Sequence, residues 1–400
     1  MRVFSAVACS AMLLSGTAQA AIKSDTITIA VLTDMSGFAS DSTGAGSVAA
    51  AQLAVEDIGG KVNGVPVKVI FADHQNKADI GAAQAQRWVS DGTVDAIVDV
   101  PFSSVALAVN EVTRNAPHTA FLASGPGTAD LTGEKCSPNT VQWTYDTWAL
   151  ANGTAKAVVQ KGGDTWFFVT ADYAFGQALE RDAAATVIAS GGKVLGSVRH
   201  PPSTQDFSSY LLQAQASGAK IVGLANAVGD TINSVKQASE FGLTQHQTLA
   251  ALLMQLTDVN AVGLPAAQGL YLTEPFYWDM NDKTRAFAKR FGAKREGRMP
   301  TGNQAGVYSA TLQYLKAMAA ADTEETAPIL ARMRSAPMAD SLFGSTTLRI
   351  DGRAVHDMYL FQVKTPAESK APWDFYKLVQ TIPAAEAFRP LNQGHCPLAS

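Results

Sequence analysis

Residues 27–58 read ITIAVLTDMSGFASDSTGAGSVAAAQLAVEDI. The apolar run Ile27 to Leu32 predicts a buried strand. A stretch rich in Ser, Thr, Gly and Asp follows, as a turn requires. Ser47 to Ile58 then carries Val48, Ala51, Val55 and Ile58 at helical spacing, and Gly59-Gly60 ends it. A strand, a polar turn and a one-faced helix make one βα unit.

The unit repeats outward. Val67 to Ala72, Val94 to Val100 and Thr119 to Ala123 predict strands, with helices over Ile80 to Val89 and Val105 to Val112. Alternation of this kind predicts a parallel sheet covered by helices on both faces. A second series follows. Helices are predicted over Trp148 to Gln160, Ala174 to Ser190, Phe207 to Ala216 and Thr231 to Phe241. Strands are predicted over Trp166 to Thr170, Val194 to Val198, Ile221 to Ala225, Thr248 to Leu253 and Gly269 to Glu274. Helices dominate from Lys283 to Met333, and the last third offers strands at Thr346 to Ile350, Met358 to Val363 and Phe375 to Val379. No low-complexity linker separates the two series, so the expectation is an α/β protein of two lobes joined by short crossovers.

The first residues set the compartment. Met1-Arg2, an apolar stretch from Val3 to Leu14 and Ala18-Gln19-Ala20 have the three-part layout of a secretory signal peptide over 1–20. That apolar stretch is short of the ~20 residues a membrane span needs. Export to the periplasm is expected. Cleavage after Ala20 removes Cys9 and leaves Cys136 and Cys396, an even pair that reads as one disulfide in an oxidising compartment.

Composition excludes some classes. Charged residues are 16% and net charge is −4, with no Lys/Arg run, so nucleic acid is not an expected partner. The six histidines are scattered, with no metal-binding spacing, and no G-x-S-x-G elbow occurs. Gly44 to Ala49 matches the loose dinucleotide pattern, but about eleven residues separate it from the strand it should follow directly. It reads as a Gly-rich start to a helix. Asp73-His74 lacks partners in sequence and reads as structural. The expectation is a protein that is not an enzyme and needs no cofactor.

Binding is better supported. In open α/β sheets a ligand sits beyond the carboxyl ends of the strands, at helix N-termini. Ser103 and Ser104 follow the third strand, and Ser124, Gly125 and Thr128 follow the fourth. Hydroxyls and free helix N–H groups hold a carboxylate without a formal positive charge, and the same hydroxyls also serve as ordinary N-caps. Aromatic side chains fall at loop positions too: Phe38, Phe102, Tyr145, Tyr173, Phe175 and Phe276. They suit either an apolar ligand body or core packing.

These residues carry a family resemblance. Thr28 to Gly37 resembles the opening strand and turn of the branched-chain amino acid-binding family of periplasmic proteins. Ala49 to Asp57, Asp172 to Gly176 and Asp206-Phe207-Ser208 resemble three of its later motifs in the family's order. The resemblance implies a type I periplasmic binding protein fold, with two Rossmann-like lobes joined by three hinge crossovers. These are expected near Tyr145, Glu274 and Tyr359. The lobes would comprise 22–144 with 275–358, and 145–274 with 359–384, leaving a tail at 385–400. It also implies a receptor that closes on a small molecule and delivers it to the membrane permease of an ABC transporter. Ser103, Ser104, Ser124 to Thr128, Tyr173, Phe175 and Asn226 match pocket positions of the family. The family's amino acid binders place an acidic residue near Leu253 to Gln255 to meet the ammonium. This chain has none there, so the expected ligand is an aromatic or other apolar carboxylate without an α-ammonium. Capture of a branched-chain or other amino acid, or service to a signalling system, are the alternatives.

Overall fold

The computed structural model describes residues 22–399; the expected signal peptide and Cys9 lie outside them. The first sheet is built from β1 (Ile27–Thr33), β2 (Lys61–Val62), β3 (Val65–Asp73), β4 (Ala96–Asp99), β5 (Ala120–Ala123) and β6 (Thr140–Gln142), in the order β2-β3-β1-β4-β5-β6. All its pairings are parallel except β2 with β3. Helices α1 (Gly44–Asp57), α2 (Ala78–Ser90) and α3 (Ser103–Thr113) connect its strands.

Strand β1 shows why the run at 27–32 is apolar throughout. Ile27, Ile29 and Val31 pack into one core with α1, while Ala30 and Leu32 pack into another under α2 and α3. Successive side chains point to opposite faces, and both faces are buried. Each fully buried Val, Leu or Ile contributes about 1.5–3 kcal/mol.

The second sheet repeats the plan. The helices α4 (Thr147–Gln160), α5 (Ala174–Ala189), α6 (Ser208–Ala216), α7 (Gly229–Glu240), α8 (Leu256–Val262) and α9 (Leu264–Ala267) run among β7 (Thr165–Ala171), β8 (Lys193–His200), β9 (Ile221–Ala225), β10 (Thr248–Ala251) and β11 (Tyr271–Glu274). In β7, Trp166 and Phe168 face one core, and Phe167 and Val169 the other. The chain then returns to the first lobe through α10 (Asp282–Lys294), α11 (Gly302–Ala321), α12 (Thr326–Arg334) and a small sheet of β12 (Met338–Asp340), β13 (Gly344–Leu348) and β14 (Ala354–Val355). It ends with β15 (Met358–Val363) and β16 (Tyr376–Ile382), which complete the second sheet antiparallel, in the order β16-β15-β11-β10-β9-β7-β8. The architecture is therefore α/β with two doubly wound sheets, and the chain passes between them after β6, after β11 and after β14.

Four strands escaped the sequence reading: β2, β6, β12 and β14, each of two or three residues, too few to show a period of two.

Beyond β16 the short helix α13 (Ala384–Ala387) leads into a strap that touches both lobes. Asn152 of α4 donates to the Glu386 carbonyl at 2.9 Å, and Arg389 donates to the Ala129 carbonyl at 3.0 Å. Cys396 closes the strap on Cys136 through a disulfide. Beneath it lies Arg353, fully buried, whose Nη1 donates to the Tyr145 carbonyl at 3.0 Å. Its guanidinium lies 4.6 Å from the centre of the Phe388 ring and 3.6 Å from Asp146. Burial pulls the Arg353 pKa down to about 10, so it remains charged at neutral pH.

Candidate functional site

In each sheet the direction of winding reverses once. The reversal falls between β1 and β4 in the first sheet and between β7 and β9 in the second. Loops part at such points and leave a crevice. Here the two crevices face each other and enclose one cavity, with about 450 Å³ of empty space.

Its first-lobe wall starts at the end of β1. Asp34 accepts from the Gly37 and Ala39 amides at 2.8 and 3.0 Å, folding the loop that brings Ala39, Ser42 and Thr43 to the cavity. Burial raises the Asp34 pKa. Thr33 Oγ1 donates to Asp99 Oδ2 at 2.8 Å, joining the ends of β1 and β4. Asp99 is fully buried, and its pKa is pushed up to about 7 by that burial.

The chain after β4 is strained. Asp99, Val100 and Phe102 have φ of 77°, 55° and 72°. Such conformations cost about 1–3 kcal/mol each for residues with side chains and concentrate at functional sites. They deliver Pro101, Phe102 and Ser103 to the cavity. Ser103 Oγ accepts from the Thr128 amide at 3.1 Å and so holds the next loop, which supplies Gly125 and Gly127.

The second lobe contributes Tyr173 and Phe175 after β7, Ala227 and Val228 after β9, and Leu253, Gln255 and Asp258 after β10. Val228 has φ of 52°, the counterpart of Phe102 across the cleft. Tyr145, from the passage between lobes, donates through Oη to the Gly125 carbonyl at 3.3 Å. Asn303 enters from the start of α11.

Two physical features stand out. The aromatic rings Phe102, Tyr145, Tyr173 and Phe175 wall the cavity. In addition, the first turns of α1, α3, α5 and α7 all begin at it, and none of the four N-cap residues caps its helix with its own side chain, although Thr33 Oγ1 accepts from the Gly44 amide at the start of α1. Unpaired N–H groups there, with the positive ends of the helix dipoles, favour an anion. No Lys, Arg or His is among the lining residues.

Six of the twelve residues read from the sequence line the cavity: Phe102, Ser103, Gly125, Tyr145, Tyr173 and Phe175. The other six sit elsewhere. Phe38 backs the wall, its ring centre 5.0 Å from that of Phe102. Ser104 is the second residue of α3 and does not line the cavity. Ser124 is buried, and its carbonyl accepts from Thr144 Oγ1 at 2.5 Å. Thr128 caps the short turn Ala129–Thr132, accepting from the Asp130 amide. Asn226 points inward, accepting from Thr231 Oγ1 at 2.8 Å. Phe276 packs edge-on against Phe287 in the first-lobe core, 6.2 Å between ring centres.

The structure also revises the argument from missing acidity. No carboxyl occurs at 252–255, yet Asp258 reaches the cavity one helical turn later. Its Oδ2 accepts from the Gln255 amide at 2.8 Å, and burial pushes its pKa up to about 7. Asp73 and His74 form no reactive pair. Asp73 accepts from the Met35 and Gln75 amides and from the Ser36 hydroxyl. His74, its pKa lowered to about 4 by burial, accepts from the Asn76 amide.

Comparison with known proteins agrees with this geometry. A family described as periplasmic binding protein matches residues 26–370. A crystal structure of a periplasmic binding protein from Burkholderia mallei is 49% identical, with a TM-score of 0.91, covering 94% of this chain and 99% of that one. A second, a branched chain amino acid ABC transporter periplasmic ligand-binding protein from Burkholderia xenovorans, is 42% identical with a TM-score of 0.85 and covers 94% and 100%. Among curated relatives, a Leu/Ile/Val-binding protein homolog from Brucella abortus is 26% identical over 163 residues. The match spans 40% of this chain and 41% of that relative's length. Twin doubly wound lobes, one cavity at their facing switch points and a family match over most of its length show that this chain belongs to the periplasmic binding protein family, the solute-binding receptors of ABC transporters.

Proposed function

We propose that the protein is a periplasmic receptor that captures a small carboxylate with an apolar or aromatic body and presents it to the permease of an ABC importer. The observation that carries the ligand class is the convergence of four helix N-termini, none capped by its own N-cap side chain, on a cavity walled by aromatic rings. The carboxylate takes the unpaired N–H groups and the Ser103 hydroxyl, while the body lies among Phe102, Tyr145, Tyr173 and Phe175. Ligand bridges the lobes, and the three passages between sheets act as the hinge that shifts toward the closed form. The permease then reads a shape that exists mainly with ligand inside.

Thermal unfolding of the stripped protein tests this, using benzoate, 4-methylpentanoate, leucine and phenylalanine, each beside the amide that replaces its carboxylate. A ligand at about 100 times its Kd adds roughly 2.7 kcal/mol of stability. Stabilisation by an acid and not by its amide is expected. Equal stabilisation by the amides removes the carboxylate from the reading.

A further inference from the structure

Three of the six histidines are fully buried, and the partners of their rings differ. A neutral imidazole donates from one nitrogen and accepts at the other, and only the protonated ring donates from both. His200 suits the neutral ring. Its Nδ1 lies 2.9 Å from the Pro201 carbonyl, and its Nε2 lies 3.3 Å from the Asn226 side-chain nitrogen, a donor. His74 suits it too, since its Nδ1 accepts from the Asn76 amide. His356 does not. Its Nδ1 lies 2.8 Å from the Asp357 carbonyl and its Nε2 lies 2.9 Å from the Trp143 carbonyl. Both neighbours are acceptors, so a neutral ring turns a lone pair on one of them, and the protonated ring bonds both.

The place of these carbonyls gives the mismatch a role. Trp143 is the first residue after β6, in the first passage between the lobes. His356 and Asp357 are the two residues between β14 and β15, in the third. The Nε2 bond therefore ties one passage to another. Two uncharged rings pack edge-on against His356, Phe343 after β12 at 4.9 Å and Phe388 of the strap at 5.3 Å. Two charged groups act on it from the surrounding elements, Arg353 before β14 and Asp340 at the end of β12. Asp146, at the start of α4, lies beside Arg353, and the Asp357 carboxylate accepts from the Ala384 amide at 2.8 Å. Burial outweighs the two carbonyls and lowers the His356 pKa from its usual 6.5, so the doubly bonded ring belongs to the acid side of that value.

We propose that His356 is a proton-operated tie across the hinge, which bonds the first passage to the third when protonated and gives up one of its two carbonyls when neutral. Either loss loosens the hinge. Without the Trp143 bond the passages are no longer joined there, and with it the Nδ1 lone pair repels the Asp357 carbonyl inside the third passage. The inference rests on the reading of the three passages as a hinge and adds to it a control by the acidity of the surroundings.

Two measurements on the ligand-free protein test this. The first is NMR of the 15N-histidine-labelled protein from about pH 8 down to about pH 4.5. His74 and His200 are expected to hold one slowly exchanging ring N–H each throughout. His356 is expected to hold one at the alkaline end and two at the acid end, a signature that identifies it without a variant. The second is hydrogen exchange, compared with His356→Gln at each pH so that intrinsic rates cancel. The glutamine amide keeps a donor that does not titrate. Segments 143–147 and 356–359 are expected to exchange about 2- to 10-fold more slowly in the unmutated protein at the acid end, and within about twofold of the variant at about pH 8. Should His356→Gln not fold, the slowing is read against helix α11 of the same protein. A His356 ring that stays neutral until the protein unfolds overturns the proposal, and so does a ring that gains its proton while the exchange ratio stays flat. Ligand enters neither measurement, so failure here is distinct from failure of the carboxylate reading, which the melting shifts decide.

Discussion

The Phe175 ring lies against the bare Cα of Gly127, so that a Cβ on Gly127 would stand 2.6 Å from Phe175 Cε2. The two residues belong to opposite lobes, so the contact is one the lobes make across the cleft. Gly127→Ala keeps its backbone comfortable, since its φ is not in the left-handed region, but obstructs closure. Overpacking of this kind costs about 1–3 kcal/mol, or roughly 5- to 150-fold in affinity. Ligand affinity is expected to fall by that amount while denaturant unfolding of the ligand-free protein barely moves. Equal loss in both would place the contact in the folding core instead.

Asp258 gives a pH signature. Its folded pKa, raised to about 7, lies above the ordinary value of 3.8. The folded protein therefore holds a proton that the unfolded chain has released between those two values. Stability from this group is fully present below pH 3.8 and is lost as pH rises through 7. Compared with Asp258→Asn, the ligand-free protein should lose roughly 2–4 kcal/mol between about pH 4 and pH 8. Urea unfolding at several pH values, as a difference between the two proteins, isolates this group from the buried histidines, which titrate in the opposite sense.

Arg353 is buried beneath the strap and reaches the Tyr145 carbonyl, Asp146 and the Phe388 ring. Arg353→Met retains the apolar volume and leaves Asp146 buried without its partner. Removing one member of a buried ion pair costs about 3–5 kcal/mol. Melting temperature should fall accordingly, and Arg353→Lys should recover only part of the loss, because a single ammonium cannot reproduce the planar fork.

Much of this was legible in the sequence, for reasons that explain the remainder. Ile27 to Leu32 and Trp166 to Val169 are apolar without alternation because helices bury both faces of each sheet. Ser103, Gly125 and Tyr173 were accessible by one rule, that ligands sit where strands end. The same rule pointed to Asn226, but the reversed φ at Val228 turns the chain there, and Asn226 is engaged with Thr231. Phe276 follows the second passage between lobes, where an aromatic ring falls into the first-lobe core rather than the cavity. Asp258 and Asn303 sit inside helical first turns, where polar residues are common, so nothing local distinguishes them. Only the folding of distant helices onto one point gives them meaning.

The strap from α13 to Cys396 has a consequence for when the receptor is complete. Its last bond joins two cysteines 260 residues apart in the chain. Thiols persist in the reducing interior where chains are made, and disulfides form only in oxidising compartments. A newly made chain therefore carries its C-terminal segment unfastened against the region between the lobes. In an exported copy the frame is finished only on arrival, so its maturity is tied to its address. A copy kept in a reducing compartment would lack this last fixture between the C-terminal strap and the first lobe.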